Sequence, residues 1–259
     1  MPAHDDLILL REAAIEAGSI ALQYWKQSPK AWEKDGGAGP VSEADLAVNE
    51  MLATRLRSAR PDYGWLSEET LDSDARQKCE HVFIIDPIDG TRAFMAGESH
   101  FAHSLAIAQR GQVTAAAVFL PALDRMYLAT LDSPATCNGV PIQASTATDA
   151  AASEILANKA SIAPEHWAAG APPFKRNFRA SLAYRLCLVA EGRFDGMITF
   201  RPTWEWDIAA GALIASRAGA AVRDRGGLAL GFNHPDPRTN GVLALAPGLH
   251  QQIIGALKT

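Results

Sequence analysis

The chain has 259 residues, of which 48% are hydrophobic and 20% charged, a composition typical of a globular protein with a substantial core. Its 24 basic and 29 acidic residues leave a net charge of −5, which gives no electrostatic case for a nucleic-acid polymer or a membrane surface as partner. The three cysteines, Cys79, Cys137 and Cys187, are too few and too widely spaced for a disulfide framework or a cysteine-rich metal site. The sequence also shows neither a long uncharged apolar run nor a basic N-terminal region. We therefore expect a cytoplasmic protein without a membrane segment.

The N-terminal region predicts a helix followed by a loop. Asp5 or Asp6 can cap a helix that runs to about Trp25, because apolar residues recur along this stretch at the spacing of one buried face. Residues 28–42 are rich in glycine, proline and charged side chains, and residues 36–40 read Gly-Gly-Ala-Gly-Pro. Such a composition is typical of a mobile loop.

A second helix and an acidic pair follow this loop. Ser42 and Asp45 have the spacing of a capping box, which predicts a helix that ends before Pro61 and makes Asp45 a capping carboxylate. Glu68 and Glu69 come directly after a short apolar stretch. Adjacent glutamates usually form a solvated face, but this pair lies shortly before the next acidic motif, so one of them is a candidate to face inward.

The motif around which the chain is organised is an apolar strand that leads into two carboxylates. Residues 81–85, His-Val-Phe-Ile-Ile, are β-branched and aromatic, which favours a buried strand. Pro87 cannot donate a hydrogen bond to a neighbouring strand, and it restricts Asp86 to an extended backbone. We therefore predict that the strand ends at Asp86, with this side chain directed outward.

The residues after this strand have the pattern of an anion site. Gly90 can adopt a positive φ and turn the chain sharply. If a helix begins at Thr91, its free N–H groups point toward the space between Asp86 and Asp89. Carboxylates that hold Mg²⁺ beside such N–H donors would attract a phosphate. The alternative is that both aspartates belong to ordinary turn signals between a strand and a helix.

The middle of the chain predicts an antiparallel meander. Consecutive strands separated by short turns are expected over residues 101–109, 113–120 and 125–130. Residues 137–142 predict a turn and a short edge strand. The alanine- and proline-rich segment 144–176 is where we expect a second subdomain to begin.

The last third of the chain alternates helices with strands. We expect helices over residues 181–191, 208–216 and 247–258, and strands over residues 194–200 and 240–246. Asp207 immediately precedes the second of these helices, where the helix dipole favours a carboxylate. On this pattern alone Asp207 is an N-cap.

Three acidic motifs thus stand in order along the chain: Glu68-Glu69, Asp86-Pro87-Ile88-Asp89-Gly90-Thr91 and Trp206-Asp207-Ile208-Ala209-Ala210-Gly211. Their order and spacing resemble the inositol monophosphatase superfamily of Mg²⁺-dependent, lithium-sensitive phosphomonoesterases, whose pattern is an acidic pair, then Asp-Pro-Ile/Leu-Asp-Gly-Thr, then Trp-Asp-x-Ala-Ala/Gly-Gly. The helix opening from Val41 to Asp45 is also similar to the family's Val-Thr-x-Ala-Asp. The resemblance covers nearly the whole chain.

The resemblance implies an α/β fold, a layered α-β-α-β-α sandwich of the inositol monophosphatase and fructose bisphosphatase type. A single catalytic domain would span residues 1–259, with subdomains over 1–143 and 144–259. It further implies a small phosphorylated metabolite as substrate and lithium sensitivity. Because the family often dimerises, a homodimer is also among the expectations.

The same resemblance implies a metal site. Glu68, Asp86 and the Ile88 carbonyl would hold one Mg²⁺, while Asp86, Asp89 and Asp207 would hold a second. Hard oxygen ligands suit Mg²⁺, and no histidine or cysteine cluster favours zinc. Two ions roughly 3.5–4 Å apart can activate a water, neutralise a phosphate and stabilise a leaving alkoxide.

The catalytic and substrate-binding residues are implied in the same way. Asp45 would lie near a third metal ion or the attacking water, and Thr91, polarised by Asp45 or Glu68, would help to orient and deprotonate that water. The N–H groups of Gly90 and Thr91 would bind phosphate oxygens. The substrate contacts as a whole would come from Asp89, Gly90, Thr91, Ser181, Arg185 and Asp207.

Two tracts, residues 181–192 and 202–211, look most like the bacterial 3′(2′),5′-bisphosphate nucleotidases of the superfamily. That branch has lysine where this chain has Arg185, whereas inositol monophosphatases tend to have asparagine. Inositol monophosphatases also place a glutamate seven residues before the helix-opening aspartate, to bind inositol hydroxyls. Here that position is Phe200, which cannot accept a hydrogen bond. We therefore expect hydrolysis of adenosine 3′,5′-bisphosphate to AMP and phosphate.

Other residues depart from the nucleotidase pattern and keep alternatives open. Ser67 replaces the common glycine before the acidic pair, and residues 97–104 match neither branch closely. Residues 90–94, Gly-Thr-Arg-Ala-Phe, resemble the family's histidinol-phosphate phosphatases. The alternatives are thus an inositol monophosphatase, a histidinol-phosphate phosphatase, and a metal-dependent nucleotide-binding scaffold, which would be expected to lack a metal ligand.

Arg185 and Arg201 are expected to border the substrate side of the metal site. A guanidinium there can hold the second phosphate of a bisphosphate in a bidentate, charge-assisted contact. The alternative for each is a surface arginine paired with a neighbouring acid.

Overall fold

The structure is a computed structural model that describes residues 2–34 and 39–258. Its α-helices are α1 (Pro2–Tyr24), α2 (Glu43–Ala59), α3 (Thr91–Met95), α4 (Leu182–Ala190), α5 (Glu205–Arg217) and α6 (His250–Gly255). Its strands in the first half are β1 (Ala31–Glu33), β2 (Pro40–Ser42), β3 (Gly64–Ser67), β4 (His81–Asp89), β5 (Ala102–Gln109), β6 (Gln112–Leu120), β7 (Arg125–Thr130), β8 (Thr136–Cys137) and β9 (Val140–Pro141). The strands of the second half are β10 (Glu154–Ala157), β11 (Lys175–Asn177), β12 (Gly196–Thr199), β13 (Thr203–Trp204), β14 (Ala221–Arg223), β15 (Arg238–Thr239) and β16 (Val242–Leu245).

Two mixed sheets form the scaffold. The larger has the order β3-β4-β5-β6-β7-β8-β9, with β3 parallel to β4 and every other pair antiparallel. The predicted meander over β5, β6 and β7 and the short edge that follows are confirmed. The smaller sheet has the order β11-β10-β12-β16-β14, in which β16 runs antiparallel to both of its neighbours.

Helices cover these sheets in layers. Successive side chains of a strand point to opposite faces, so Phe83 and Ile85 of β4 pack with α1 and α2, whereas Val82 and Ile84 pack with α4 and α5. The smaller sheet contacts α4 and α5 with one face and packs its other face around Ile253 of α6. The predicted α-β-α-β-α sandwich is confirmed.

The N-terminal helix begins earlier than expected. Pro2 is the first residue of α1, in the position that proline favours in a helix, so the expectation that Asp5 or Asp6 caps this helix is wrong. Asp6 is instead buried within it and accepts hydrogen bonds from Arg60 Nε at 2.9 Å and the Tyr63 hydroxyl at 3.0 Å.

The predicted loop over residues 28–42 is in part a hairpin, because β1 and β2 pair antiparallel. Residues 35–38 lie outside the described residues, so its mobility stays a prediction. The capping box of Ser42 and Asp45 is confirmed at the start of α2, and this helix ends before Pro61.

Strand β4 does not end at Asp86 as predicted. It continues to Asp89, with a register shift between the pairs Asp86–Ser104 and Asp89–Ala102. Such a shift inserts one extra residue, which leaves Pro87 without a pairing position that needs its missing N–H. Gly90 then adopts φ 95° and α3 begins at Thr91, both as predicted.

The second half contains strands that the sequence did not indicate. Strands β10, β11 and β14 have only three or four residues each. Helix α5 begins at Glu205 with Trp204 as its cap, so Asp207 lies within the first turn and the N-cap interpretation is wrong. Over the described part of the chain, no helix is both long and apolar enough to cross a membrane.

Candidate metal centre and substrate cavity

Three carboxylates converge at the junction of β4 and α5. One oxygen each from Asp86, Asp89 and Asp207 can be chosen so that all three lie within 4.8 Å of one another. The convergence predicted for these residues is therefore present in the structure. Asp86 is 1% exposed and Asp89 7%, so the cluster is largely removed from water.

Local backbone geometry brings these carboxylates together. The extra residue in β4 separates Asp86 from Asp89, and the Asp86 carboxylate accepts a hydrogen bond from the Ile88 N–H at 3.0 Å. The hydroxyl of Ser104 on β5 donates to the Trp206 carbonyl at 2.9 Å. This bond fixes the first turn of α5, and with it Asp207, against the central sheet.

The electrostatics of the cluster favour a cation. Burial and then the neighbouring carboxylates raise the pKa of Asp86 and of Asp207 well above their ordinary value, and burial raises the pKa of Asp89 to about 6. A divalent cation would relieve this repulsion. Because the donors are carboxylate oxygens, the cluster fits a hard cation such as Mg²⁺.

Asp89 is held by the start of α4. One of its oxygens accepts hydrogen bonds from the Ser181 hydroxyl at 2.5 Å and from the Ala183 N–H at 2.7 Å. Ser181 Oγ also accepts from the Tyr184 N–H at 2.9 Å, which caps α4. Ser181 therefore positions Asp89 in this structure, and its contact with substrate stays a prediction.

Glu68 and Glu69 share a lysine. The ammonium of Lys34 lies 2.8 Å from a Glu68 oxygen and 2.6 Å from a Glu69 oxygen. Burial works against the charge on Lys34, but the two glutamates outweigh it and raise its pKa, while burial raises the pKa of Glu69 to about 7. Glu68 lines the same cavity as the three aspartates, but it is not one of the carboxylates that lie within 4.8 Å of one another. Its role as a metal ligand stays a prediction.

Asp45 serves as a cap and also contacts Thr91. One carboxylate oxygen accepts from the Ser42 N–H at 2.8 Å, and the other accepts from the Thr91 hydroxyl at 3.2 Å. The same hydroxyl lies 3.2 Å from the Ile88 carbonyl, a second acceptor for its single proton. Burial raises the pKa of Asp45 to about 6. Capping and contact with the site are thus compatible.

The cluster opens into a cavity of about 800 Å³. Besides the carboxylates, its wall contains cationic and aromatic side chains, among them Lys34, Arg92, Arg185, Arg201, Phe178, Trp204 and Trp206. The Phe200 side chain is buried against Trp167, with ring centroids 5.6 Å apart, and does not line the cavity. The position that carries a hydroxyl-binding glutamate in inositol monophosphatases is therefore turned into the core.

The two arginines differ in their surroundings. Arg185 is 5% exposed and donates to the carbonyls of Arg179 and Ala180, so the interpretation as a surface arginine paired with an acid is wrong. Burial lowers its pKa to about 10, which leaves it charged at neutral pH. The Arg201 side chain is 54% exposed and lies 3.7 Å from an Asp207 oxygen, which fits the ion-pair alternative while it also faces the cavity.

Sequence reasoning missed a buried network behind Asp207. The Glu205 carboxylate is fully buried and accepts from the N–H groups of Asn233 and His234 at 2.6 and 3.0 Å. Arg76 donates to the Asn233 side chain at 2.6 Å and to the His234 carbonyl at 2.9 Å. Glu205 thus binds N–H donors and Arg76 binds oxygen acceptors of the same loop, and together they hold this loop against the start of α5. Lys34 was missed as well, because its partners lie far away in the sequence.

Comparison with known proteins agrees with this geometry. A family model described as the inositol monophosphatase family matches residues 4–259. Inositol-1-monophosphatase of Rhizobium meliloti is 31% identical over 238 residues, covering 85% of this chain and 86% of that protein. The 3′(2′),5′-bisphosphate nucleotidase CysQ of Salmonella typhimurium is 28% identical over 225 residues, covering 85% and 91%. The solved structure of an IMPase from Thermotoga maritima superposes with a TM-score of 0.83 at 25% identity, covering 97% of this chain and 96% of that one.

Proposed function

Because the chain belongs to the inositol monophosphatase family, we propose that it is a Mg²⁺-dependent phosphomonoesterase that converts adenosine 3′,5′-bisphosphate to AMP and phosphate. The observation that carries the proposal is the convergence of Asp86, Asp89 and Asp207 beneath a cavity with cationic and aromatic walls. Together with the comparisons, it supports hydrolysis of a phosphoric monoester.

Different residues would bind the metal and the phosphate. Asp86, Asp89 and Asp207, with Glu68 and the Ile88 carbonyl, would hold Mg²⁺, which when bound lowers the pKa of water and neutralises phosphate charge. The N–H groups of Gly90 and Thr91 donate to the phosphate oxygens.

Thr91 and Asp45 prepare the nucleophile. The Thr91 hydroxyl donates to Asp45, so its oxygen is free to accept a hydrogen bond from a water and aim it at phosphorus. The water oxygen attacks phosphorus in line with the P–O bond that breaks. The nucleotide alkoxide leaves on the opposite side and takes up the proton that the attacking water gives up, while inorganic phosphate forms.

The walls of the cavity support a nucleotide bisphosphate. Arg185 and Arg201 place guanidinium groups beside the carboxylate end, where a second phosphate would need them. Phe200 stands at the position of the hydroxyl-binding glutamate of inositol monophosphatases, and it is buried and does not line the cavity. The competing assignment is an inositol monophosphatase, because relatives of both kinds match the chain at similar identity.

Phosphate release tests the proposal directly. The purified protein with Mg²⁺ is given adenosine 3′,5′-bisphosphate, inositol 1-phosphate, histidinol phosphate or fructose 1,6-bisphosphate in separate assays. We expect the highest kcat/KM with the nucleotide and no release in excess EDTA. A preference for inositol 1-phosphate would transfer the assignment to the competing branch, and the absence of release from every substrate would favour a binding scaffold.

A further inference from the structure

The aromatic side chains in the cavity wall are not equivalent. Trp204 and Trp206 stack on each other, with ring centroids 4.6 Å apart and planes 9° from parallel. The guanidinium carbon of Arg238 lies 5.2 Å from the centroid of Trp204. Phe178 also contacts a guanidinium, but it remains 49% exposed. Among these three rings, Phe178 therefore has the most surface left for a ligand.

Phe178 rests on a fixed support. The guanidinium carbon of Arg185 lies 4.4 Å from the centroid of the phenyl ring, within the range of a cation–π contact. Arg185 Nε donates to the Arg179 carbonyl at 2.5 Å and Nη2 donates to the Ala180 carbonyl at 3.3 Å. The guanidinium is thus bonded to the same backbone segment that carries Phe178, which holds the ring and its support as one unit.

Phe178 is a half-exposed aromatic side chain in the wall of the cavity. Other apolar side chains, such as Leu71 and Leu228, are even more exposed, so the exposure of Phe178 matters only because of where the ring lies. The ring lines the cavity that also contains the three aspartates. One of its faces meets Arg185, so the remaining surface is available to a group bound beside the phosphate site.

The chemistry of that surface selects the group. A phenyl face offers a stacking partner for another planar ring but no hydrogen-bond acceptor for a hydroxyl. A polyol phosphate would gain little from it. A nucleic-acid base, by contrast, gains binding energy when it stacks on an aromatic side chain.

We propose that Phe178, supported by Arg185, is the surface on which the planar base of a nucleotide substrate stacks. The inference rests on the proposed function and deepens it, because it names the residue that distinguishes a nucleotide from a polyol phosphate. It also gives Arg185 a structural role at the site, through the ring that it supports.

Two substitutions at one position test the proposal. Phe178→Leu keeps an apolar side chain but removes the planar face, and Phe178→Tyr keeps the face. We expect Phe178→Leu to raise KM for adenosine 3′,5′-bisphosphate at least about tenfold with kcat within about twofold, to leave kcat/KM for inositol 1-phosphate unchanged, and Phe178→Tyr to behave like wild type. Equal losses on both substrates, or an unchanged KM for the nucleotide, would overturn the proposal.

A binding measurement separates this inference from the proposed activity. Isothermal titration calorimetry with AMP and Mg²⁺ needs no turnover. We expect AMP to bind wild type at least about tenfold more tightly than Phe178→Leu. Equal AMP affinities of wild type and Phe178→Leu would contradict the stacking role of Phe178, even if the protein hydrolyses the bisphosphate. A difference in AMP affinity without any phosphate release would contradict only the proposed function.

Discussion

His103 is the buried residue whose ionisation should govern stability in mild acid. It is fully buried on β5, and its Nδ1 hydrogen bonds to the Pro87 carbonyl. A carbonyl can only accept, so Nδ1 carries the proton of the neutral ring, and Nε2 has no partner within the described residues. Burial lowers the pKa of His103 to about 4.

The stability that His103 contributes should therefore fall with pH. Since the folded state disfavours the charged ring, the unfolded chain binds the proton first, and stability is lost as pH falls from about 6.5 toward 4. Buried carboxylates with raised pKa values act in the opposite direction, so the comparison must be with a variant. We expect urea unfolding at pH 7.5 and pH 5.0 to show that wild type loses roughly 2 kcal/mol more than His103→Gln. An equal change in both proteins would contradict the assignment.

Arg201 is the sharper test of a second phosphate site than Arg185. Its side chain is half exposed and faces the cavity, so its removal should not disturb the core. Charged hydrogen bonds are worth about 1.5–3 kcal/mol, so Arg201→Ala should lower kcat/KM for adenosine 3′,5′-bisphosphate about ten- to a hundredfold and spare a monophosphate substrate.

The Mg²⁺ dependence of activity serves as a control for the Arg201 variant. Arg201 lies 3.7 Å from Asp207, so loss of its positive charge should lower the Mg²⁺ concentration that gives half-maximal activity. If both substrates lose activity equally, Arg201 does not bind a second phosphate.

At the scale of elements, the contact between α4 and α5 sets the spacing of the site, because α4 holds Asp89 and α5 carries Asp207. Gly211 permits this contact, since a Cβ there would lie 2.7 Å from the Leu186 side chain. Gly211→Ala should destabilise the protein by about 1–3 kcal/mol despite the better helix propensity of alanine. Urea unfolding measures this change.

Gly255 offers a matched control for this substitution. It also lies in a helix, but a Cβ there would meet nothing within 4 Å. Gly255→Ala should be neutral or slightly stabilising. If the two variants unfolded alike, close packing between α4 and α5 would not be the reason for Gly211.

Sequence patterns predicted the elements that carry their own local signals. The capping box at Ser42, the positive φ at Gly90 and the β5–β7 meander all arise from residues close together in the chain. The short strands β10, β11 and β14 were missed, because three or four residues show no usable periodicity. Lys34 and Glu205 were missed because their importance comes from tertiary partners, which single-sequence patterns do not report.

At the scale of the molecule, both halves of the chain share one core. The cluster between the two sheets contains Ile84 and Ala106 from the first half with Leu186, Met197 and Val242 from the second. The boundary at residues 143 and 144 stays a prediction, and we expect unfolding to be a single cooperative transition, with equal calorimetric and van't Hoff enthalpies.

Metal binding should stabilise this whole unit. A ligand that binds only the folded state at a hundred times its Kd adds about 2.7 kcal/mol, so saturating Mg²⁺ should raise Tm by several degrees over EDTA. Asp89→Asn keeps an oxygen for Ser181 but removes one charge from the cluster. We expect it to retain its Tm in EDTA, to lose most of the Mg²⁺-dependent rise, and to lose phosphate release by orders of magnitude. A wild-type rate with Mg²⁺ would refute the metal assignment.

The distance in sequence between Asp86 and Asp207 also determines when, during synthesis of the chain, the metal centre can assemble. On the ribosome the first two aspartates emerge long before the third, and β16, which pairs with both β12 and β14, emerges later still. A nascent chain that ends before α5 holds only part of the carboxylate cluster. Binding of the proposed Mg²⁺ would thus become possible only when most of the protein has been made, and incomplete chains should not acquire phosphatase activity in the cell.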